Sequence, residues 1–231
     1  MLAIETGQVP TPDNHPLDYT LYLPHTAFTK SVILAVHGGC FVDGDHTWNS
    51  EQSKALTEKG HAVLQLNFRK DNPMNTLEDI LYAKTFLENR LPQFRDRIGI
   101  FGSSSGGFYA LKLVEHFKFC ILACPVFNPY KRYCYLQKSQ HPQKDSMLQK
   151  HLQHFGSKES MQLWSDFYFP KTVPTFLIGG LKDQNMPIEL LKPLEKNENT
   201  TVCYLDYDHG LCHKNVPELI SEIDRYIGRT F

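Results

Sequence analysis

The sequence predicts an α/β fold: a doubly wound, mostly parallel sheet with helices on both faces. Three observations lead there. Short apolar runs alternate with helical patterns along most of the chain. Several of those runs are continuously apolar, as strands buried on both faces must be. The length of 231 residues suits one domain with a sizeable core, so residues 1–231 are read as a single domain.

Taken in order, Leu17–Leu23 alternates apolar and polar residues and reads as an early edge strand. Ser31–Val36 is continuously apolar and reads as central. A helical stretch over 50–59 leads into a strand at 61–68. Residues 76–91 read as a helix with Thr76 as cap and Asp79 at the capping-box position, its apolar side marked by Leu77, Ile80, Leu81 and Leu87. A short strand at 97–101 precedes a helix at 108–117 and a buried strand at 119–126. Two more strands are expected at 175–178 and 201–205. The last helix, 217–227, has Pro217 in its first turn and Ile220, Ile223 and Ile227 at helical spacing. Between them, residues 130–170 are rich in Gln, His, Lys and aromatics and contain no strand-like run. A structureless loop of about 40 residues is out of place in a compact domain. The segment is therefore read as a helical insertion, a cap or lid over the sheet's functional edge.

Composition excludes several classes of function. Hydrophobic residues at 41% and charged residues at 21% are ordinary for a soluble globular protein. With Lys plus Arg at 24 and Asp plus Glu at 25, no charge excess calls for nucleic acid or an anionic membrane as partner. The N-terminal residues lack the pattern of a signal peptide. No run of about 18 apolar residues suggests a membrane span. Three of the 6 cysteines, Cys120, Cys124 and Cys203, lie in apolar runs, where a free thiol packs as a small hydrophobe. Cys120 and Cys124 are expected on one strand face. A chain of this size folds without disulfides, so a reducing, cytoplasmic location is expected.

Four local patterns carry chemistry. Gly102-Ser103-Ser104-Ser105-Gly106 stands directly between a strand and a helix. A nucleophile elbow needs small residues two before and two after its serine, and only Ser104 has glycine at both places. The following helix points its N-terminus, with free N–H groups, where negative charge would develop. His37-Gly38-Gly39-Cys40 follows the central strand; Gly179-Gly180-Leu181-Lys182-Asp183 follows the strand at 175–178; Asp208-His209-Gly210 follows the last strand. Each has a plainer reading: a flexible Gly/Ser turn, a glycine turn with a bracing histidine, or an Asp that caps a helix. His213, four residues beyond His209, is a rival base, and Asp206 and Asp208 are rival acids.

Together, in this order along the strands, the motifs resemble the α/β-hydrolase superfamily, in particular small esterases with an HGG oxyanion loop, of the hormone-sensitive-lipase-like and kynurenine-formamidase-like kinds. The resemblance spans roughly residues 17–227 and leaves 130–170 unmatched. It implies Ser104 as nucleophile, Asp183 as acid and His209 as general base, in the Ser, Asp, His order of that fold. It implies an oxyanion hole from the amides of Gly39, Cys40 and Ser105, each worth about 3 kcal/mol. The hormone-sensitive-lipase-like members usually carry a third glycine where this chain has Cys40. The expected reaction is hydrolysis of a small-molecule acyl ester through an acyl-enzyme. Activity should rise with pH as His209 loses its proton, with a midpoint of roughly 6 to 7. Amide, formamide or thioester hydrolysis, and a non-catalytic ligand- or partner-binding role on the same fold, are the alternatives. The short segment before the first strand leaves no room for a β-propeller, which argues against the peptide-screening prolyl-oligopeptidase type.

No cofactor or metal is called for. His209 and His213 are interrupted by Gly210, and His151 and His154 lack a neighbouring carboxylate or thiolate, so both pairs are read as structural or exposed. The aromatics Tyr130, Tyr133, Tyr135, Trp164, Phe167, Tyr168 and Phe169 either line a substrate pocket or form the insertion's own small core. Nothing in the sequence sets the oligomeric state.

Overall fold

The computed structural model describes residues 2–25, 29–166 and 172–231. Its strands are β1 (Ala3–Val9), β2 (Leu17–Leu23), β3 (Ser31–Val36), β4 (His61–Leu66), β5 (Ile98–Ser103), β6 (Cys120–Ala123), β7 (Thr175–Gly180) and β8 (Thr200–Leu205). The α-helices are α1 (Ser50–Glu58), α2 (Pro73–Arg90), α3 (Gly106–Lys112), α4 (Pro129–Lys138), α5 (Lys144–Phe155), α6 (Lys158–Ser165), α7 (Ile188–Glu195) and α8 (Pro217–Thr230). The strands form one sheet in the order β1-β2-β4-β3-β5-β6-β7-β8. β2 runs antiparallel to both β1 and β4, and every other pairing is parallel.

Alternation along the strands divides the apolar residues between two cores. Val32, Leu34 and Val36 face one core, with Ile80 and Leu87 of α2 and Phe108 and Leu111 of α3. Ile33 and Ala35 face the other, with Leu56 of α1 and Leu219, Ile220, Ile223 and Ile227 of α8. Burying one such side chain contributes about 1.5–3 kcal/mol, so the two layers dominate stability. In both cores the strands meet amphipathic helices, as the helical spacing in the sequence requires.

The sheet order sets where chemistry can occur. The chain lays β4 beside β3 and then crosses to β3's other side for β5. The crevice at such a switch point, outside the strands' carboxyl ends, is where α/β sheets bind ligands. β3 and β5 run parallel with Val36 opposite Gly102, which brings the loop after Val36 beside Ser104.

Several expectations are corrected. β2 is not the edge: β1, whose residues are mostly exposed, covers it. AIETGQV lacks apolar alternation because only one end of this strand is buried, so periodicity could not reveal it. α2 begins at Pro73 and is capped by Asn72, whose side chain accepts from Asn75 N–H at 3.0 Å. Thr76 is buried within the first turn, its hydroxyl donating to Arg69 O at 2.6 Å. Asp79 closes no capping box: it is buried, accepting Arg69 N–H at 2.7 Å and a guanidinium N–H at 2.5 Å. α3 is shorter than predicted and gives way to a 3₁₀ turn over Val114–His116. β6 stops at Ala123 because Cys124 adopts a left-handed φ of 46°. Cys120 and Cys124 consequently lie in opposite cores rather than on one face. All 6 cysteines are unpaired.

The segment between β6 and β7 holds α4, α5 and α6, which pack on one another. Tyr133, Phe155 and Met161 join the core on the α2/α3 side. Phe167, Tyr168 and Phe169 lie outside the described residues. Among the described residues, no helix is long and apolar enough to cross a membrane.

Candidate active site

Ser104 sits in the tight turn between β5 and α3 with φ of 49°, a left-handed conformation that is strained for any residue with a Cβ. The turn is over-determined by its neighbours. Ser104 N–H donates to Ala123 O at 3.0 Å, and Ser104 O accepts from Gly107 N–H at 3.0 Å and Val126 N–H at 2.8 Å. A Cβ on Gly106 would lie 2.2 Å from Val36 O and 2.5 Å from His37 O. Glycine at this position is what lets the β3 loop approach the serine turn.

Ser104 Oγ is 3.0 Å from His209 Nε2, and His209 Nδ1 is 2.7 Å from Asp183 Oδ2. Neighbouring parallel strands produce the meeting. β6, β7 and β8 end together, with Ala123 opposite Ile178 and Gly180 opposite Leu205. The loops carrying Asp183 and His209 therefore emerge on the side of the sheet where Ser104 emerges. Asp183 Oδ1 accepts from Asn185 N–H at 2.8 Å and Met186 N–H at 2.9 Å, which fixes the carboxylate's second oxygen toward the imidazole.

The ionisation of this group follows from burial and pairing. Burial alone would raise the pKa of Asp183, but its hydrogen bond and charge attraction to His209 outweigh that and lower it. Burial likewise disfavours a charged His209. The Cys212 sulfur and the Asp183 carboxylate reverse that and hold the imidazole well above its ordinary value. Cys212 Sγ lies 3.1 Å from the carbonyl oxygen of His209, and the neighbouring imidazole in turn brings the buried Cys212 thiol down to about 7.

The rivals are placed elsewhere. Asp206 pairs with Lys182, and Asp208 accepts from Gly210 N–H at 2.8 Å. His213 packs its ring against Trp48 at 6.3 Å and makes no bond to Ser104. His37 is buried, its Nδ1–H donating to Gly38 O at 2.6 Å and its ring stacked on Phe68 at 4.3 Å. Burial pushes its pKa down to about 4, so it stays a neutral brace.

Gly39, Cys40 and Phe41 are left-handed in succession, at φ of 112°, 51° and 74°. Phe41 N–H donates to Ser105 Oγ at 3.1 Å, tying this loop to the serine turn. No acceptor among the described residues takes the amides of Gly39, Cys40 or Ser105. Ser104 and His209 open on a cleft of about 370 Å³, with Gly39 and Cys40 on one side and residues of α4 and α5, including Arg132 and Met147, on another. Among Tyr130, Tyr133, Tyr135 and Trp164, none lines this cleft. Tyr133 is buried in the core, Tyr130 and Trp164 pack against that core, and Tyr135 donates to Gln184 O at 3.0 Å.

Sequence reasoning gave no role here to Cys124 or Arg132. Cys124 places its sulfur within 4.8 Å of the ligand atoms of Asp183 and His209. Its position at the end of a strand next to β5 was the available signal. Of the two readings of His151 and His154, structural or exposed, the fold gives the first, for both are buried: His151 Nε2 accepts from Arg132, and His154 bonds Tyr109 and Lys70 O. Arg132, in a polar helical stretch, gave no local sign of burial.

The prolyl oligopeptidase family model matches residues 55–231. No curated protein matches the chain by sequence. Three solved esterase structures illustrate the structural likeness. A hyperthermophilic esterase from Pyrobaculum calidifontis superposes with a TM-score of 0.79 at 18% identity, over 98% of this chain and 85% of its own. Esterase B from Lactobacillus rhamnosis gives 0.77 at 20% identity, over 99% and 87%. A fungal esterase from Rhizomucor miehei gives 0.79 at 17% identity, over 100% and 83%. At these identities the likeness shows the fold, which is that of the α/β-hydrolases. The expectation that set aside the prolyl-oligopeptidase type is corrected: room for a propeller bears on how a substrate is screened, not on kinship.

Proposed function

This chain belongs to the prolyl oligopeptidase family, and from that premise we propose that it is a serine hydrolase cleaving carboxylic esters through an acyl-enzyme on Ser104. Membership of the family makes it a hydrolase; the bond it cuts and the residues that cut it are the proposal. One observation carries it: Ser104 Oγ lies 3.0 Å from His209 Nε2 while His209 Nδ1 lies 2.7 Å from Asp183. In this reading His209 takes the Ser104 proton as Oγ attacks the acyl carbon. Asp183 holds the imidazole in the tautomer that leaves Nε2 free to accept, and stabilises the imidazolium. The amides of Gly39, Cys40 and Ser105, which have no acceptor among the described residues, take the oxyanion. Water then attacks the acyl-enzyme, with His209 again as base. The helices at 130–170 act as a cap on the single domain, since α4 and α5 contribute one wall of the cleft.

Esters are preferred over peptides because the structural neighbours named above are esterases. The family name favours a second reading, cleavage of an amide bond. A fluorescent fluorophosphonate tests the common premise. It should label Ser104 in the wild type and neither Ser104→Ala nor His209→Ala; labelling that survives Ser104→Ala refutes the assignment. Turnover of an ester against the amide of the same acyl group then separates the two bond types.

A further inference from the structure

Arg132 on α4 is only 1% exposed, yet its side chain forms part of the wall of the Ser104 cleft. A guanidinium carries five N–H donors and is charged at every working pH. Burying one is unfavourable unless an anion answers it. Every Asp and Glu of the chain lies among the described residues, and none forms an ion pair with Arg132.

Its actual partners are neutral and weak. One terminal nitrogen is 3.1 Å from His151 Nε2, and both are 3.8 Å from Cys40 Sγ. The second also lies 3.7 Å from Met147 Sδ, and Nε has no hydrogen-bond partner among the described residues. His151 offers a lone pair and no charge: its Nδ1–H donates to Met147 O at 2.7 Å, leaving Nε2 to accept. Burial, reinforced by Arg132 itself, pushes His151 down to about 3. The other cation on the cleft wall, Lys150, is already paired with Asp43. The site is therefore a buried, uncompensated positive charge in the wall of the cleft on which Ser104 opens.

Building on the serine-esterase reading, we infer that Arg132 receives a carboxylate borne by the substrate, so that the enzyme's substrates are anionic esters with one esterified and one free carboxyl group. Hydrolysis breaks the acyl–oxygen bond, releases the alcohol with a proton and places water's oxygen on the acyl carbon. The free carboxylate is unchanged throughout, paired with the guanidinium in the dry wall of the cleft. A planar carboxylate accepts two parallel N–H bonds from such a fork, which gives direction as well as affinity.

The test uses two matched pairs of esters. One is the mono-p-nitrophenyl ester of glutaric acid against its terminal amide, with the charge on the acyl side. The other is 3-acetoxybenzoate against 3-acetoxybenzamide, with the charge on the alcohol side. In at least one pair the carboxylate should raise kcat/KM about tenfold or more. Arg132→Gln should reduce that preference to near unity, and Arg132→Lys should restore part of it. Equal rates within both pairs, or a preference that survives Arg132→Gln, overturns the inference. A second measurement is independent of turnover: glutarate should raise the melting temperature of the wild type and leave that of Arg132→Gln and Arg132→Met unmoved. Glutarate stabilisation without ester turnover would keep the anion site and sink the esterase reading. Turnover without charge preference or glutarate stabilisation would sink the anion site alone.

Discussion

Replacing Asp183 by Asn tests the proposed machinery most sharply, because the structure dictates how the amide must sit. Asn185 N–H and Met186 N–H both donate to Oδ1, at 2.8 and 2.9 Å. In Asp183→Asn that position must be taken by the amide oxygen, so the NH₂ replaces Oδ2 and points at His209 Nδ1, 2.7 Å away. Two donors cannot share that bond. His209 must give up its Nδ1 proton and carry it on Nε2, where it faces Ser104 and cannot accept. The charge is lost as well: at about 4 Å between charge centres and an effective dielectric constant of about 20, Coulomb's law gives about 4 kcal/mol for the carboxylate–imidazolium pair. Converted at 1.36 kcal/mol per decade, that is a fall of about 10³ in kcat, with the tautomer error acting in the same direction. The assay is kcat and kcat/KM on a short-chain p-nitrophenyl ester, with thermal denaturation to show that the variant is folded. A loss of less than tenfold in a folded Asp183→Asn protein would refute Asp183 as the orienting acid.

Three further outcomes follow from the same geometry. Because Asp183 raises the pKa of His209, the rise of kcat/KM with pH should have its midpoint above the ordinary imidazole value of about 6.5. A pH–rate profile should therefore lie to the alkaline side of the ordinary imidazole value; a midpoint at or below about 6.5 contradicts the pairing. Gly106→Ala places a Cβ 2.2 Å from Val36 O, against backbone that cannot yield cheaply, and should destabilise by about 3 kcal/mol or more in urea titration. Gly228→Ala, on α8 with nothing within 4 Å of the new methyl, is its control and should gain roughly 0.5–1 kcal/mol. Asp79→Ala removes a buried carboxylate that accepts Arg69 N–H and its guanidinium, leaving Arg69 with the exposed Asp13, and should cost about 1–3 kcal/mol in denaturant, with fluorophosphonate labelling of the folded fraction intact.

What could be read in the chain beforehand was local. The runs that became β3 and β7 are written in neighbouring residues, because a strand buried on both faces must be continuously apolar, and β2 is written in its alternation. The glycines around Ser104 are legible because they stand at fixed offsets from the serine; the clash Gly102 relieves is local, with Gly107 and Ala110, whereas the one Gly106 relieves, with Val36 O and His37 O, shows only in the fold. His209 and Asp183 were legible as residues just past strand ends, and the parallel sheet brings such loops to one edge.

What escaped the sequence depends on segments far apart along the chain. β1 has no apolar alternation, and only pairing with β2 makes it a strand. The start of α2 was misplaced because Asp79 and Thr76 answer Arg69 across a loop rather than the helix's own N–H groups. Cys124 left its predicted face because one residue turned left-handed at the end of β6. Arg132 is the clearest case. By composition it belongs to a polar, exposed helix; in the fold it is buried against Cys40, 92 residues away, with no carboxylate to meet it. Periodicity and turn sterics act between near neighbours, so the sequence alone determined the apolar strands, the serine's place between strand and helix, and the order of the motifs. Burial of a charge and the identity of its partner are set by which distant surfaces close on each other, and only the tertiary structure decided those.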